Sequence, residues 1–303
     1  MLEALQIAGR LVQYALILVL FGASAFSLYA SAAATLVSVR RLTGGLAIAS
    51  LAACLIGLLA QTGAMSGSVT DAVNPDMLWT IVSATHYGAA WTVRVIALVL
   101  AIVTLGLTAT RPKMASWPVL ILSGGAALTL AWGGHGVEGE GAAGLVHLSA
   151  DMAHIAAAGL WVGALVCFSL LALRSGVDHL KVTASALAGF AGQGSVIAGV
   201  LVLTGLINTA FMTPPSAIPQ FLGNAWAQVL AVKLVLFAGM LSLAAANRFV
   251  LTPRLTRSLS DPAREAEAVR RLRLSLLLET ALAFGALGLV AWLGTLHPPS
   301  HGG

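Results

Sequence analysis

Eight apolar runs, each about as long as a membrane is thick, dominate this sequence of 303 residues. A helix needs about 20 consecutive apolar residues to cross the hydrocarbon core of a bilayer. The runs lie at roughly 5–33, 44–64, 89–110, 116–133, 148–173, 188–211, 226–249 and 274–296. Only 9% of the residues are charged, whereas soluble domains carry about 25%. The sequence therefore predicts an all-α polytopic membrane protein with eight transmembrane helices.

The basic residues lie beside alternate connections, which indicates how the helices are oriented. The connections after the odd-numbered runs, with the helix ends beside them, hold Arg40, Arg41, Arg111, Lys113, Arg174, Lys181, Arg248, Arg254, Arg257, Arg264, Arg270, Arg271 and Arg273. The loops at 65–88, 134–147 and 212–225 contain neither Lys nor Arg. Positive residues mark the cytoplasmic side, so both termini are predicted to be external. The net charge of +5 is then a topology signal with some contact to membrane lipid, and we expect no nucleic-acid partner.

Matching segments in the two halves of the chain indicate an internal repeat. The pairs, in chain order, are QTGAM (61–65) with NTAFM (208–212), YGAAWTVR (87–94) with WAQVLAVK (226–233), and GAALTLAWGG (125–134) with GALGLVAWLG (285–294). Runs one and five align when Gly22 is set against Gly163. The same alignment sets Arg10 against Asp151, so the halves differ in chemistry. The sequence predicts two parallel four-helix repeats, with a first repeat at 1–133, an external His/Gly loop at 134–147 and a second repeat at 148–303.

Three ionisable residues lie on one face at the start of the fifth run, in the stretch GLVHLSADMAHIAAAGLWVGAL. Spacings of four and three place His147, Asp151 and His154 on one side of a helix. The Cα atoms of the two histidines are about 10.5 Å apart along the axis, too far for both to reach one metal ion. Either histidine can share an ion with Asp151. We call these three residues the histidine row, and they are predicted to form part of a metal or proton site that other segments complete.

Further metal-ligand types lie on the external side of the predicted topology. The candidate imidazole ligands are His135, which is surrounded by glycines, and His86, while His297 and His301 lie in the C-terminal tail. The possible accessory thioether ligands are Met65, Met77, Met152 and Met212. Imidazole with carboxylate suits Cu(II), and thioether favours Cu(I), so the mixture points to copper more than to zinc. For any single histidine, a hydrogen-bonded residue at the membrane interface is the alternative.

Polar groups inside the membrane require partners, because each is costly to hold near hydrocarbon. The expected intramembrane path or pairing residues are Arg10, Arg94, Lys233, Asn208 and Glu279. Asp151 has the right depth to neutralise one of the three cations. Glu279 can pair with Asn247 or Arg248, or serve as an inner station for a cation or proton. The tryptophans, Trp161 among them, are expected in interfacial belts or in packing.

Several of these segments together resemble the CopD family of copper-resistance membrane proteins. The segments are LAWGGHGVEGEG with the H-x3-D-x2-H-x6-W-x-G block that follows it, THYGAAWTVRV, LTGLINTAF and KLVLFAGMLSLAAANRFVLTPRL. The resemblance implies an eight-span protein of the bacterial inner membrane that handles copper, so the external termini predicted from the basic residues would be periplasmic. It also implies a separate periplasmic copper-binding partner of the CopC type, and transport that is generally inward. Carried over by position, the functional residues are His135, His147, Asp151 and His154.

Two other functions remain open on the sequence. A distant likeness to diheme membrane cytochromes suggests haem-based electron transfer, but only His86 and His154 fall inside helices near one depth, so haem is disfavoured as a cofactor. A membrane partner of a periplasmic copper chaperone that does not itself transport is the other alternative. The sequence carries no ATP-binding motif, which argues against a primary pump. We expect a copper-homeostasis protein with copper ion as its ligand, and not an enzyme.

Overall fold

A computed structural model of the chain describes residues 2–68, 70–133, 141–174, 177–213, 223–258 and 262–296. Within these ranges the secondary structure is entirely helical. The α-helices are α1 (Leu2–Tyr29), α2 (Ser31–Leu36), α3 (Val39–Ser66), α4 (Pro75–Ala84), α5 (His86–Leu107), α6 (Ser116–Leu128), α7 (Gly141–Ala172), α8 (Val177–Met212), α9 (Ala225–Ala246), α10 (Thr252–Ser258) and α11 (Pro262–Leu293). A π-helical turn, Asn247–Leu251, joins α9 to α10 without a break.

The eight predicted transmembrane helices are confirmed as eight helical stretches that are long and apolar enough to cross a membrane. These stretches are Glu3–Tyr29, Val39–Ser66, His86–Leu107, Lys113–Gly133, Gly141–Ala172, His179–Met212, Ala225–Ser258 and Glu265–Leu293. Most are longer than the apolar runs, because a helix satisfies its own backbone and can continue past the hydrocarbon core. The division into two repeats and the orientation of the termini stay predictions.

The start of α7 lies inside a segment that the sequence predicts as a loop. Gly141, at a positive φ of 64°, begins the helix within the loop predicted at 134–147. Such a φ is easily adopted only by glycine. His147 therefore lies almost two turns inside α7 and not in a loop, while 134–140 are outside the described residues.

Two of the membrane helices begin with the same capping device. The Thr85 hydroxyl accepts a hydrogen bond from the Gly88 backbone N–H at the start of α5 (2.9 Å). The Asn224 side chain likewise accepts from the Trp226 N–H at the start of α9 (2.8 Å). A capping side chain satisfies one of the N–H groups that a helix leaves unpaired at its first turn. Both caps precede segments that the sequence matches to each other.

We call the end of the bundle that holds His86 and His147 the histidine end. The opposite end, which holds Arg111 and Arg254, is the arginine end. Helices α1 and α7 lie at the centre and carry the most buried large side chains, such as Leu20, Phe26 and Phe168. α1 packs against α3, α6, α7 and α11, whereas α7 packs against α1, α8 and α11.

The two central helices touch backbone to backbone through glycines. A Cβ atom built on Gly22 would lie 2.7 Å from Gly163 Cα and would overlap the Gly159 carbonyl oxygen. Small residues allow such close approach between membrane helices, where packing and not hydrophobic exclusion drives association. Below the contact, the rings of Phe26 and Phe168 meet edge to face at 5.2 Å between centroids. The glycine contact thus sets the distance between α1 and α7.

Gly22→Ala is expected to destabilise the fold because the new methyl must push α7 away from α1. Overpacking of this kind costs about 1–3 kcal/mol. Thermal unfolding of the purified protein in detergent would measure the loss. Gly9→Ala on the same helix is the matched control, since a Cβ there meets nothing within 4 Å and alanine favours a helix by up to about 1 kcal/mol. Equal melting temperatures for the two variants would contradict this assignment.

Candidate functional site

The predicted row on α7 faces a matching row on the antiparallel helix α8. The His147 ring stacks on Phe211, with centroids 4.8 Å apart and planes at 8°. Asn208 Nδ2 donates to Asp151 Oδ1 (3.3 Å). His154 Nδ1 lies 2.9 Å from Thr204 Oγ1. Every ionisable residue of the row therefore has a partner on α8. The three partners are themselves separated by three and four residues, so they also share one face of their helix.

The hydrogen bonds around Thr204 assign the proton on His154. A hydroxyl has a single proton to donate, and the Thr204 hydroxyl donates it to the Val200 carbonyl at 2.6 Å. In that arrangement Thr204 accepts from His154, which corresponds to a neutral imidazole with its proton on Nδ1. This tautomer keeps the lone pair on Nε2, the nitrogen that can bind a metal. An outer hydrogen bond that orients a histidine in this way is typical of metal sites.

A lysine provides positive charge near the acidic residue of the row. Lys233, on α9, lies within electrostatic range of both Asp151 and His154. Of the three cations expected in the membrane, Lys233 is thus the one that the structure brings to Asp151. A cation that binds Asp151 would have to compete with this ammonium group.

The described residues do not by themselves form a complete metal site. Among them, no group of three or more His, Cys, Asp or Glu side chains is close enough to hold one ion. This agrees with the spacing of His147 and His154, which allows each to share an ion with Asp151 but not with the other. His135, like His297 and His301, lies outside the described residues. His86 begins α5 and is exposed.

The methionines predicted as accessory ligands are dispersed along the histidine end. Met65 lies near the end of α3 and is 53% exposed, and Met77 lies in α4. Met152 is adjacent to Asp151 on α7 but points to a different side of the helix, because neighbours are turned by about 100°. Met212, at the end of α8, packs against an apolar cluster that includes Trp226 and Leu293. Packing explains Met212 without a metal.

The first half of the chain holds a polar cavity at the positions that the sequence alignment matches to the row. Its volume is about 30 Å³, room for about one water molecule. Its lining includes the side chains of Gln6, Arg10, Gln13, Tyr14, Gln61, Tyr87 and Arg94. The lining thus carries two cations, whereas the row on α7 carries imidazoles and a carboxylate.

Both arginines of this cavity are held by neutral oxygens. Arg94 is only 1% exposed and donates to the hydroxyl and the carbonyl oxygen of Thr129, each at 2.9 Å. Arg10 Nη1 donates to the carbonyl oxygen of Gly294 at 2.6 Å, which ties α1 to the end of α11. These bonds give the two arginines a structural role between helices.

A second polar cluster lies deeper, on the side of α7 that faces α11. Trp161 Nε1 donates to Glu279 Oε1 (3.0 Å), and Asn247 Nδ2 donates to Glu279 Oε2 (2.8 Å). Pairing of Glu279 with Asn247 was one of the expectations from sequence, but the role of Trp161 was not. The sequence does contain a signal for Trp161, because this residue follows His154 by seven positions and so lies on the same face of α7.

Comparison with known proteins places the chain in a family. Residues 1–145 match the family described as "Copper resistance protein D-like, N-terminal domain", and residues 184–293 match "Copper resistance protein D". The chain is 28% identical over 307 positions to "Inner membrane protein YebZ" of Escherichia coli (strain K12), covering 98% of this chain and 100% of that protein. No solved structure matches it significantly. With 36% identity over 310 positions to "Copper resistance protein D" of Pseudomonas syringae pv. tomato, covering 99% of both chains, the chain belongs to the copper resistance protein D family.

Proposed function

We propose that this protein binds copper at its histidine end and carries it across the bacterial inner membrane, toward the cytoplasm. Membership of a copper-resistance family supports copper as the ligand. The eight apolar helices, and a relative named as an inner membrane protein, support a multi-pass inner-membrane location. The proposal gives the chain no enzymatic reaction.

The observation that carries the proposal is the oriented imidazole of His154 beside Asp151. The bond to Thr204 leaves Nε2 of His154 with its lone pair, and Asp151, three residues earlier on the same face, supplies a carboxylate. Metal binding needs a neutral imidazole and an ionised carboxylate.

The spacing of the row suggests how copper would move. His147 with Asp151, and Asp151 with His154, can each hold an ion in turn, so Asp151 is common to both positions. An ion that passes from the first pair to the second moves along α7 into the membrane. His135, and possible ligands such as His86, would complete the first position, and Met152 would add a thioether for Cu(I).

We propose that the histidine end is periplasmic, with both termini on that side. The loops of the histidine end lack Lys and Arg, whereas the arginine end is rich in them, as expected for a cytoplasmic face. A periplasmic copper-binding protein of the CopC type would then be the partner that delivers copper to His147 and its neighbours.

We also propose that the two halves are parallel repeats with divided roles. Gly22 and Gly163, which the alignment sets against each other, meet at the centre of the bundle. A two-fold axis along the membrane normal produces such a contact between equivalent residues. Gln13, at the position equivalent to His154, contacts α3 in the way that His154 contacts α8. Its Nε2 donates to Cys54 Sγ (3.2 Å) and lies near Gly57, the residue that the alignment sets against Thr204. The first half would serve structure and the second half copper.

Loss of the central ligands is expected to weaken copper binding strongly. Asp151→Asn keeps the shape of the side chain and removes its charge, and His154→Ala removes the imidazole. Loss of a hydrogen-bond partner of a metal ligand lowers metal affinity by roughly 10–100-fold. Loss of the ligand itself should lower copper affinity by at least that much. Titration of the purified protein with copper, together with cellular copper content, measures the effect. The absorption spectrum of the purified protein would also reveal a bound haem. His179→Ala, at the arginine end, is the control. Normal binding and accumulation in both site variants would refute the proposal.

Thr204→Val tests the tautomer of His154 without removing a ligand. Valine has the shape of threonine but cannot accept from Nδ1, so the imidazole loses its orientation and copper affinity should drop by about 10–100-fold. Thr209→Val is the matched control on the same helix, because the Thr209 hydroxyl donates only to the Gly205 carbonyl of its own helix. Equal affinities for the two variants would show that the bond to Thr204 does not position the ligand.

Cysteine labelling tests the orientation. The native Cys54 and Cys167 are buried, so a membrane-impermeant thiol reagent reports on introduced cysteines. Ser83→Cys, exposed at the histidine end, should react in intact cells, whereas Thr256→Cys, exposed at the arginine end, should react only after the membrane is opened. The reverse pattern would invert the topology.

A further inference from the structure

A carboxyl group lies inside the membrane-spanning part of α11, and among the described residues no cation pairs with it. Glu279 is 2% exposed, and each of its oxygens accepts one N–H, from Trp161 and from Asn247. Among the described residues, the ion pairs of this helix involve Glu267 with Arg270 and Arg271 instead. A charge held in the membrane without a partner is costly and marks a functional group by default. Glu279 therefore requires a proton or an arriving cation.

The charged and titratable groups on the helices around Glu279 do not pair with it. Arg248, next to Asn247, donates to the Ala191 carbonyl oxygen and contacts Ser195, both on α8. Arg273 donates to the Ala172 carbonyl oxygen (2.8 Å). The other charged or titratable groups on the helices packed against α11 are Glu3, Arg10, Tyr14 and Tyr29 on α1, His147, Asp151, His154 and Cys167 on α7, Lys233 on α9, and Arg254 and Arg257 on α10. No hydrogen bond or ion pair links any of these to Glu279 in the part of the chain that the structure describes.

The partner Asn247 is suited to both protonation states of a carboxyl group. Its Nδ2 donates to the carboxylate (2.8 Å), whereas its Oδ1 is buried and has no hydrogen-bond partner among the described residues. Rotation of the Asn247 amide by half a turn about its Cβ–Cγ bond would exchange Nδ2 and Oδ1. The Oδ1 atom would then accept from the O–H of a protonated Glu279. An amide offers a donor and an acceptor at one end, which an aliphatic side chain or a lysine does not. The orphan oxygen is thus the acceptor that a protonated Glu279 needs.

The backbone at Asn247 is also unusual. Asn247 begins the π-helical turn Asn247–Leu251 inside the span Ala225–Ser258. Single π-helical turns within α-helices occur frequently at functional sites. The turn places the amide of Asn247 against α11, where the carboxyl group lies.

The cluster lies on the same face of α7 as the histidine row. Trp161 is seven residues beyond His154, a rise of about 10.5 Å. Beyond it, Ser169 Oγ lies 2.9 Å from Thr280 Oγ1, between α7 and α11. Polar groups thus continue along α7 from the histidine row past Glu279 toward the arginine end.

We propose that Glu279 is a proton-binding group that takes up and releases one proton, with Asn247 as the partner that adapts its amide to either state. A proton on Glu279 would neutralise the carboxylate while the cluster is empty. Loss of that proton would create the negative charge that attracts a cation arriving from His154. This coupling to copper rests on the proposed function, whereas the proton site itself does not.

The proton site is tested by infrared difference spectroscopy of the purified protein between acidic and neutral pH. Wild type should show a carboxylic-acid C=O band that is absent from Glu279→Gln, a neutral variant of nearly the same shape. Glu267→Gln, the same change at an exposed position of the same helix, should keep the band. Asn247→Leu should keep the band but move it to higher frequency, because the carboxyl group loses a hydrogen bond. Identical difference spectra for wild type and Glu279→Gln would overturn the proposal.

The coupling is tested in proteoliposomes that contain a pH-sensitive dye and are given copper ions on one side. Copper movement should be accompanied by proton movement in wild type and in Glu267→Gln, and the proton signal should be lost in Glu279→Gln. A normal proton signal in Glu279→Gln would overturn the coupling. If wild type moves no copper while the infrared band is present, the proposed transport function fails and the proton site stands.

Discussion

The glycine contact between α1 and α7 is the constraint on which the rest of the structure depends. With no side chains between Gly22 and Gly163, the two backbones approach closely enough for both helices to occupy the centre of the bundle. The other membrane helices then surround this pair. Because α7 is central, the row from His147 to Trp161 faces other helices and not lipid. A bulkier residue at the crossing would disturb the fold and the candidate site together.

Four ionisable side chains of the membrane-spanning helices follow one rule, which is that each finds a hydrogen-bond partner on another helical segment. In the first half, Arg10 and Arg94 use carbonyl and hydroxyl oxygens that link helices. In the second half, His154 and Asp151 use side chains of α8 that orient them. The alignment therefore sets the fixed cation Arg10 of the first half against the potential ligand Asp151 of the second. This difference fits one half that supports the fold and one that handles a cation.

Glu279 follows the same rule, because both of its oxygens accept from neutral N–H groups of other helical segments. Its two N–H donors satisfy a carboxylate, and the unused oxygen of Asn247 could satisfy the acid. The cluster lies on the same face of α7 as the histidine row, so a change of charge there would be felt along the path that we propose for copper. The two sites are thus arranged for an ion to meet first imidazole and then carboxyl groups.

The sequence by itself determined the eight spans, the helical face that carries His147, Asp151 and His154, and the pairing option between Glu279 and Asn247. These follow from local rules, namely hydrocarbon thickness, the period of a helix and the need to pair buried polar groups. Only the tertiary structure decided which residue of another helix meets each of them. Thr204 as the acceptor for His154, Lys233 as the cation near Asp151 and Trp161 as the donor to Glu279 all depend on the rotation and depth of neighbouring helices. Side-chain packing between helices sets these quantities, and the apolar pattern of a single helix does not encode them.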